Sequence, residues 1–245
     1  MIRYLLFDMD MTLLDFARSE AWALSHAMEE LGVTPSQELL SAYSRINLSQ
    51  WKLLEKGLIT RERLKIRRFE LLFEQFAIDL PAQEAACHYE ALLAQGYYYL
   101  DGARELLESL QGKNYQIYIL SNGSSTIQHS RIAGAQLAQY VDGIYISEDV
   151  GFNKPDKRFF DACFADISAR TGRPFAAAEA VMIGDSLTSD IQGGNRAGVT
   201  TIWYHGDGAK PSPDFAPQGT FEEGMQPTYE IHSLEQLPEL LALLS

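Results

Sequence analysis

Two aspartates stand two positions apart, directly after a short apolar run near the start of the sequence. The run Ile2 to Phe7 has the β-forming, hydrophobic character of a buried parallel strand, and Asp8 and Asp10 follow it. In extended backbone both carboxylates would face one cleft. One could attack phosphorus while the other serves as general acid and base, with a divalent cation offsetting their repulsion. Such pairs also occur as helix caps or solvated turns, so this pair alone is not decisive.

A second acidic turn follows a later apolar run. Gly184-Asp185-Ser186 comes directly after the run Ala180 to Ile183, and Asp190 lies in the next turn. The glycine permits close approach of another group, and the Asp185 carboxylate suits a metal ion that prefers oxygen ligands. The alternative is that Asp185 or Ser186 only caps the following helix.

Two further segments carry groups suited to an anion. Ser121 and Asn122 follow the apolar run Tyr115 to Leu120, where a hydroxyl and backbone N–H groups at a helix start could bind phosphate. Lys154 precedes Pro155, which is placed to occupy the first position of a helix. The alternatives are a simple helix cap for the first segment and a surface charge for the lysine.

The elements that must position these residues follow an alternating pattern. Beyond residue 100, short apolar runs alternate with helical stretches, which predicts a parallel, doubly wound α/β sheet. The runs are Tyr115–Leu120, Gly143–Ile146, Ala180–Ile183 and Thr200–Trp203. Ligands of such sheets bind beyond the carboxyl ends of the strands, where the polar residues above stand. Residues 15–95 read instead as consecutive helices without a strand, which predicts an all-helical insertion.

Local signals predict several boundaries. Thr60 is placed to cap a helix that runs to about residue 76, and Ser233 with Gln236 forms a capping box before a final helix. The segment from Gly206 to Pro227 is rich in glycine and proline, which predicts a surface loop.

Composition excludes several classes of protein. The 245 residues are 46% hydrophobic, enough for a sizeable core, and 33 acidic against 20 basic residues argue against a nucleic-acid polymer as partner. Cys87 and Cys163 are far apart and show no Cys/His spacing for zinc, so two buried free thiols are expected. The apolar pieces at the start are too short and too acidic for a signal peptide or a spanning helix, so we expect no membrane partner and a cytoplasmic location.

The order of the four polar segments carries more information than any one of them. Asp-x-Asp-x-Thr at Asp8, Ser-Asn at Ser121, Lys-Pro at Lys154 and Gly-Asp-Ser-x-x-x-Asp at Gly184 resemble the four motifs of the haloacid dehalogenase (HAD) superfamily. The set spans the chain from Asp8 to Asp190. The resemblance implies a Rossmann-like core with a parallel sheet, formed by residues 1–14 and 97–245, and an inserted helical cap formed by residues 15–96.

The resemblance also implies a role for each motif residue. Asp8 would be the nucleophile that forms an aspartyl-phosphate, and Asp10 would protonate the leaving oxygen and then activate water. Dehalogenases of the superfamily lack an acid at the position of Asp10, so its presence favours phosphoryl chemistry. The implied substrate contacts are Thr12, Ser121 and Asn122; the implied neutralising cation is Lys154; and the implied Mg²⁺ site consists of Asp8, the Asp10 carbonyl, Asp185 and, at its edge, Asp190.

A looser resemblance concerns the substrate. The segments SQWKLLEKGLITRERLKIRRFELL and YISEDVGFNKPDKRFFDA are similar to the YjjG-like branch of HAD 5'-nucleotidases, which implies a small phosphorylated substrate, a nucleoside monophosphate. Trp51 and Phe69 could stack on a base, and the run from Lys52 to Arg68 holds seven basic residues that could attract anions. Alternatively, the two aromatic residues pack the cap core and the charges form its solvated face.

Other chemistries stay open at this point. The superfamily also includes sugar-phosphate phosphatases, β-phosphoglucomutase and phosphonatases. A phosphonatase would need a Schiff-base lysine from the cap, for which Lys52, Lys56 and Lys65 are available. A signalling module phosphorylated on aspartate shares the acidic pocket and the lysine, but such modules are shorter and carry no helical insertion.

Overall fold

The strands form one six-stranded parallel sheet. The computed structural model describes residues 1–208, 212 and 214–244. Within them the strands are β1 (Tyr4–Phe7), β2 (Gln116–Ser121), β3 (Gly143–Ile146), β4 (Ala180–Gly184), β5 (Thr200–Tyr204) and β6 (Tyr229–Ile231). Their spatial order is β3-β2-β1-β4-β5-β6, and every neighbouring pair is parallel. The predicted α/β fold is confirmed, and the four runs predicted beyond residue 100 are strands to within one residue at either end.

Strand β1 lies at the centre of the sheet, between β2 and β4. Its side chains alternate between two cores, since Tyr4 and Leu6 pack on one face and Leu5 and Phe7 on the other. Burial on both faces explains why the run is continuously apolar. The chain order reverses at β1, so a crevice opens where the carboxyl ends of β1, β2 and β4 meet.

Helices cover the sheet and form the insertion. In the described part of the chain the α-helices are α1 (Phe16–Glu30), α2 (Gln37–Glu55), α3 (Arg61–Phe76), α4 (Ala82–Leu93), α5 (Ala103–Leu110), α6 (Ser125–Gly134), α7 (Ser147–Val150), α8 (Lys157–Thr171), α9 (Gln192–Ala197) and α10 (Leu237–Leu243). Helices α1 to α4 all lie between β1 and β2 in sequence, which confirms the all-helical insertion. Its predicted bounds, residues 15–96, stay a prediction.

The insertion has a core of its own. Helix α1 packs against α4, and α2 packs against α3. Tyr43, Phe69 and Tyr89 are fully buried at the centre, with ring centroids 5.1–5.7 Å apart. Of the two alternatives left open for Phe69, packing in the cap core is therefore the one that the structure shows, and base stacking by Phe69 is not.

Both predicted capping signals are present. The Thr60 hydroxyl accepts a hydrogen bond from the backbone N–H of Arg63 at 3.3 Å, and α3 ends where predicted. Ser233 and Gln236 form the capping box, which opens a short 3₁₀ turn that leads into α10.

Three expectations need correction. Strand β6 was missed because it has three residues with Glu230 in the middle, and only its pairing with β5 makes it a strand. Pro155 is not the first helical residue, since α8 begins at Lys157 with Asp156 as its N-cap. Cys163 is buried as expected, but Cys87 is exposed on the cap.

The long segment before β6 has no helix or strand among its described residues, 206–208, 212 and 214–227. The predicted loop also covers residues 209–211 and 213, which lie outside the described part. No described helix combines the length and the apolar character needed to cross a bilayer. The cytoplasmic location stays a prediction.

Candidate active site

The carboxyl ends of the three central strands bring the sequence motifs together. Asp8 directly follows β1, Ser121 ends β2, and Asp185 directly follows β4. Lys154 reaches the same place from the turn between α7 and α8. Residues that are far apart in sequence thus meet at the sheet edge where the strand order predicted a ligand site.

The Lys154 ammonium group lies inside this cluster and not on the surface. Its side chain is only 1% exposed. Its Nζ donates to Asp8 Oδ1 at 2.7 Å, to Asp190 Oδ1 at 2.6 Å and to the Leu120 carbonyl at 2.6 Å. Three acceptors match the three N–H donors of an ammonium group. Lys154 is therefore a fixed positive charge beside Asp8, and the surface-charge alternative is wrong.

Asn122 holds the backbone of Lys154 in place. Its Oδ1 accepts the Lys154 backbone N–H at 2.9 Å, and its Nδ2 donates to the Lys154 carbonyl at 2.9 Å. This paired contact ties the end of β2 to the Lys-Pro turn. The Asn122 side chain thus has a positioning task that the sequence did not indicate.

The electrostatics of the cluster favour a further cation. Burial raises the pKa of Asp8 to about 7, although Lys154 acts in the opposite direction, and burial together with Asp8 raises the pKa of Asp185. Burial alone would lower the pKa of Lys154, but Asp190 and Asp8 raise it, so the ammonium group stays charged. Three carboxylates face one ammonium group. A divalent cation would keep Asp8 ionised, which a nucleophile requires.

The donor set fits magnesium. One carboxylate oxygen from each of Asp8, Asp185 and Asp190 lies within 4.8 Å of the others, and all are the hard oxygen donors that Mg²⁺ prefers. Asp190 is partly engaged already, because it accepts from Lys154 and from the backbone N–H of Ser186 at 3.0 Å. The Asp10 carboxylate is not a member of this group. Ligation by the Asp10 carbonyl stays a prediction.

The Asp10 side chain is held by two residues of α6. Arg131 Nη1 donates to Asp10 Oδ1 at 2.5 Å, and Gln128 Nε2 donates to Asp10 Oδ2 at 2.8 Å. Arg131 is fully buried, and its Nε donates to the Gly96 carbonyl at 2.7 Å, at the end of the helical insertion. The proposed general acid is therefore fixed by a positive charge that also contacts the linker to the cap.

Sequence reasoning missed Gln128 and Arg131. They lie three positions apart on α6, on one buried face, although both are polar. A buried polar pair on the helix that follows the Ser-Asn motif was the available signal. Gly123 supports the arrangement, since a β-carbon there would collide with the Gln128 side chain.

Two of the predicted substrate contacts lie behind the cavity wall. Thr12 is fully buried, and the Ser121 hydroxyl is buried and accepts from Gln128 Nε2 at 2.8 Å. The Gly123 backbone N–H donates to Ser147 Oγ at 3.1 Å. Substrate contacts by Thr12 and Ser121 stay predictions. Because the Thr12 side chain is fully buried, its packing argues against a direct contact with substrate.

A cavity of about 540 Å³ separates the sheet edge from the helical insertion. Asp8, Asp10 and Asp185 stand on the sheet side, and the lining is mainly apolar. Its insertion side is formed by residues of α1 to α4: Phe16, Leu48, Trp51, Lys52, Glu55, Lys65, Arg68, Glu90 and Leu93. The volume suits a small organic phosphate enclosed by the cap.

Trp51 and the basic run have different environments. Trp51 is partly exposed and lines the cavity, 5.5 Å from the Arg61 guanidinium group. Most of the seven basic residues are neutralised within the protein: Arg68 and Lys65 pair with Glu90, Arg63 and Arg67 pair with Glu70, and Arg61 pairs with Glu148. The run is therefore a set of ion pairs more than an anion-attracting patch.

Side chains from two cap helices contact the core directly. Glu55 at the end of α2 accepts from the Thr188 hydroxyl at 3.0 Å, and Arg61 at the start of α3 donates to Ser147 at 2.8 Å and to Asn153 at 2.7 Å. Thr188 lies within the Gly-Asp-Ser-x-x-x-Asp motif, and Ser147 accepts from the backbone N–H of Gly123, directly after the Ser-Asn motif. These contacts close the cap over the cavity.

The fold and the arrangement of this site are those of one family of hydrolases. The family model of haloacid dehalogenase-like hydrolases matches residues 5–204, which include all four motifs. The chain belongs to this family of hydrolases.

Particular relatives extend the comparison. The chain is 38% identical to pyrimidine 5'-nucleotidase PynA of Streptococcus pneumoniae, covering 98% of this chain and 94% of that protein. It is 32% identical to pyrimidine 5'-nucleotidase YjjG of Escherichia coli, covering 97% of each. Among solved structures, the HAD-hydrolase YfnB of Bacillus subtilis, bound to magnesium, superposes with a TM-score of 0.84 at 34% identity and covers 98% of both chains.

Proposed function

We propose that this protein is a Mg²⁺-dependent phosphomonoester hydrolase that works through an aspartyl-phosphate on Asp8. The observation that carries the proposal is the buried cluster of Lys154 with Asp8, Asp185 and Asp190 at the floor of a cap-covered cavity. A nucleophile, a fixed cation and a set of hard oxygen donors converge where an incoming phosphate would be enclosed.

The proposed reaction has two displacement steps. An Asp8 oxygen attacks phosphorus, the bond to the leaving oxygen breaks, and Asp10 gives its proton to that oxygen. A water molecule then loses a proton to Asp10 and attacks the phosphoryl group, which releases inorganic phosphate and restores Asp8. Lys154 stabilises the negative charge at Asp8 and at the phosphoryl oxygens in both steps.

Asp8, Asp185 and the Asp10 carbonyl would hold Mg²⁺, with Asp190 beside it. The ion supplies positive charge for the transferring phosphoryl group and offsets the excess of carboxylates.

Metal removal provides the first prediction. Exhaustive EDTA treatment is expected to abolish turnover of p-nitrophenyl phosphate, and added Mg²⁺ or Mn²⁺ is expected to restore it, because the proposed ligands are all hard oxygens. Phosphate release is measured before and after addition of each metal. Full activity in the chelated protein would contradict the assignment.

The relatives and the cavity support a nucleotide substrate. Relatives that match over nearly their full length at 32% and 38% identity are named pyrimidine 5'-nucleotidases. Trp51 lines the cavity on its insertion side, and Asp8 lines it on the sheet side. We infer that nucleoside 5'-monophosphates are the substrates, that pyrimidine nucleotides are preferred over purine nucleotides, and that the base stacks against Trp51. Phosphate release across pyrimidine and purine nucleotides and sugar phosphates tests this, and faster turnover of a sugar phosphate would favour the alternative.

The second prediction concerns Trp51. Trp51→Ala is expected to lower kcat/KM for a nucleoside monophosphate by about 5- to 150-fold, because base stacking is worth about 1–3 kcal/mol. The value for p-nitrophenyl phosphate should change little, since that substrate has no base. Trp22→Ala, which removes a partly exposed cap tryptophan outside the cavity lining, is the matched control. Equal losses for both substrates would assign Trp51 a packing role.

The other chemistries make different predictions. A phosphonatase would form a Schiff base between phosphonoacetaldehyde and a cavity lysine, and borohydride would then inactivate it. Of the three candidate lysines, Lys52 and Lys65 line the cavity. Lys65 also pairs with Glu90 at 3.2 Å. A signalling module would retain one phosphate per chain without turnover. Steady phosphate release from nucleotides excludes both.

A further inference from the structure

A second group of metal-ligating side chains lies beyond the ends of β5 and β6. His205 follows β5, and His232 follows β6. The His205 backbone N–H donates to the Ile231 carbonyl at 3.1 Å, so the pairing of the two strands places the two imidazoles side by side. Their ring centroids are 4.1 Å apart. Neither residue belongs to the lining of the cavity above Asp8.

One carboxylate stands between the two rings on their Nδ1 side. Asp207 lies 2.5 Å from His232 Nδ1 and 3.5 Å from His205 Nδ1. One ligand atom from each of these three residues lies within 4.8 Å of the others. Two imidazole nitrogens and a carboxylate oxygen form a donor set that zinc-type cations prefer and Mg²⁺ does not.

A second carboxylate stands on the opposite side of the rings. The Glu230 side chain is 2% exposed; its Oε1 lies 3.2 Å from His232 Nε2, and its Oε2 lies 3.9 Å from His205 Nε2. A histidine that donates its Nε2–H to a carboxylate presents an unprotonated Nδ1 on the other side. Metal-ligating histidines are held by a carboxylate behind the ring in this way, which fixes both the tautomer and the ring orientation, and His232 makes this contact. The 3.9 Å separation from His205 is too long for a hydrogen bond.

One of the three residues lines a second cavity, and another is exposed to solvent. His232 also lines a separate cavity of about 320 Å³ together with Tyr204, Gly206 and Gly208. The Asp207 side chain is 53% exposed, so water can reach a cation held by the three protein ligands and supply a fourth. Two carboxylates and two neutral imidazoles also leave a negative charge that a divalent cation would balance.

We propose that His205, His232 and Asp207 form a second metal site, selective for Zn²⁺ over Mg²⁺, with Glu230 orienting His232. Local spacing in the sequence gave no sign of it, because the histidines are 27 positions apart and meet only through the β5–β6 pairing. The site would fasten the start of the 206–227 segment to the end of β6. Glu222 and Met225 of the same segment line the catalytic cavity.

Zinc binding in the presence of saturating Mg²⁺ tests the proposal, because Mg²⁺ would occupy the oxygen-only cluster at Asp8 under the proposed function. The full chain is first depleted of metal and then saturated with Mg²⁺. Calorimetric titration of this protein with Zn²⁺ is expected to show one equivalent of tight binding. Co²⁺ added in place of Zn²⁺ should give visible absorption bands of a site with nitrogen ligands. Neither readout depends on phosphatase activity, so failure of this proposal and failure of the proposed function are distinguishable.

Variants locate the site. His232→Asn and Asp207→Asn are each expected to weaken Zn²⁺ binding by at least about 10- to 100-fold, the range known for loss of even an orienting group. Asp207 is 53% exposed, so its variant keeps the proposal testable if His232→Asn fails to fold. His26→Asn, at an exposed histidine on α1, is the matched control and should bind normally. Absence of stoichiometric binding, or binding unchanged in Asp207→Asn, would overturn the proposal and leave His232 as a residue hydrogen-bonded to two carboxylates.

Discussion

Replacing Asp10 with asparagine is expected to abolish nucleotide hydrolysis while still allowing p-nitrophenyl phosphate to phosphorylate Asp8. A ribose hydroxyl leaves as a strongly basic alkoxide and needs a proton, whereas p-nitrophenolate departs without one. The second step should then stall, because the attacking water also relies on Asp10 as a base. The measurement is a burst of p-nitrophenolate approaching one equivalent per enzyme, followed by a slow steady state. Mass spectrometry should find the intact protein heavier by one phosphoryl group.

Two other variants serve as controls for this result. Asp15→Asn changes a nearby aspartate that caps α1 by accepting from the Arg18 backbone N–H, and asparagine caps equally well, so this control should retain full turnover. Asp8→Asn should be inactive on every substrate and should show no burst. Substantial turnover by Asp8→Asn, or an Asp10→Asn protein with neither burst nor label, would require a different nucleophile and a different acid.

Replacing Lys154 with methionine is expected to lower kcat by about 10²- to 10³-fold or more, because the variant loses a preorganised charge at the reacting groups. Affinity for the substrate should change less. Steady-state kinetics at saturating Mg²⁺ provide the measurement. A folded variant with near-normal kcat would remove Lys154 from the reaction.

The structure changes one part of the expectation for Lys154→Met. Loss of a lysine at the surface, the alternative left open by the sequence, would cost little stability, but the Lys154 ammonium group is buried and hydrogen-bonded to two carboxylates and a carbonyl. Breaking a buried ion pair leaves an uncompensated charge and costs about 3–5 kcal/mol. The variant should therefore melt earlier than Lys157→Met, which removes an exposed lysine of the next helix. The kcat of Lys154→Met is therefore measured at a temperature well below the melting temperature of this variant.

The parts of the site that the sequence predicted share one physical cause. Buried parallel strands are continuous apolar runs, and a polar residue that ends such a run must lie at the sheet edge. This rule places Asp8, Ser121 and Asp185 together from the sequence alone. The helical insertion was equally readable, because some 80 consecutive residues lack a strand pattern.

Other parts depend on contacts that have no local pattern. Arg131 resembles any helix arginine in sequence, and only its burial against Asp10 and Gly96 shows its task. Trp51 and Phe69 are both aromatic residues of cap helices, yet one lines the cavity and the other packs the cap interior. The packing of four helices decides between them, and neighbouring residues do not encode that outcome.

The central position of β1 has a consequence for how the chain acquires its structure. Phe7 pairs with Ile119 on one side and with Ile183 on the other, so β1 is synthesised long before either partner strand. Helices α1 to α4 pack on one another and can form once residues up to Leu93 are synthesised, while β1 is still unpaired, whereas the sheet must await segments beyond residue 115. At synthesis rates of about 5–20 residues per second, the apolar β1 segment stays unpaired for several seconds. An apolar strand segment that is exposed without its partners is prone to aggregation and to chaperone binding, so we expect both at β1 of the nascent chain.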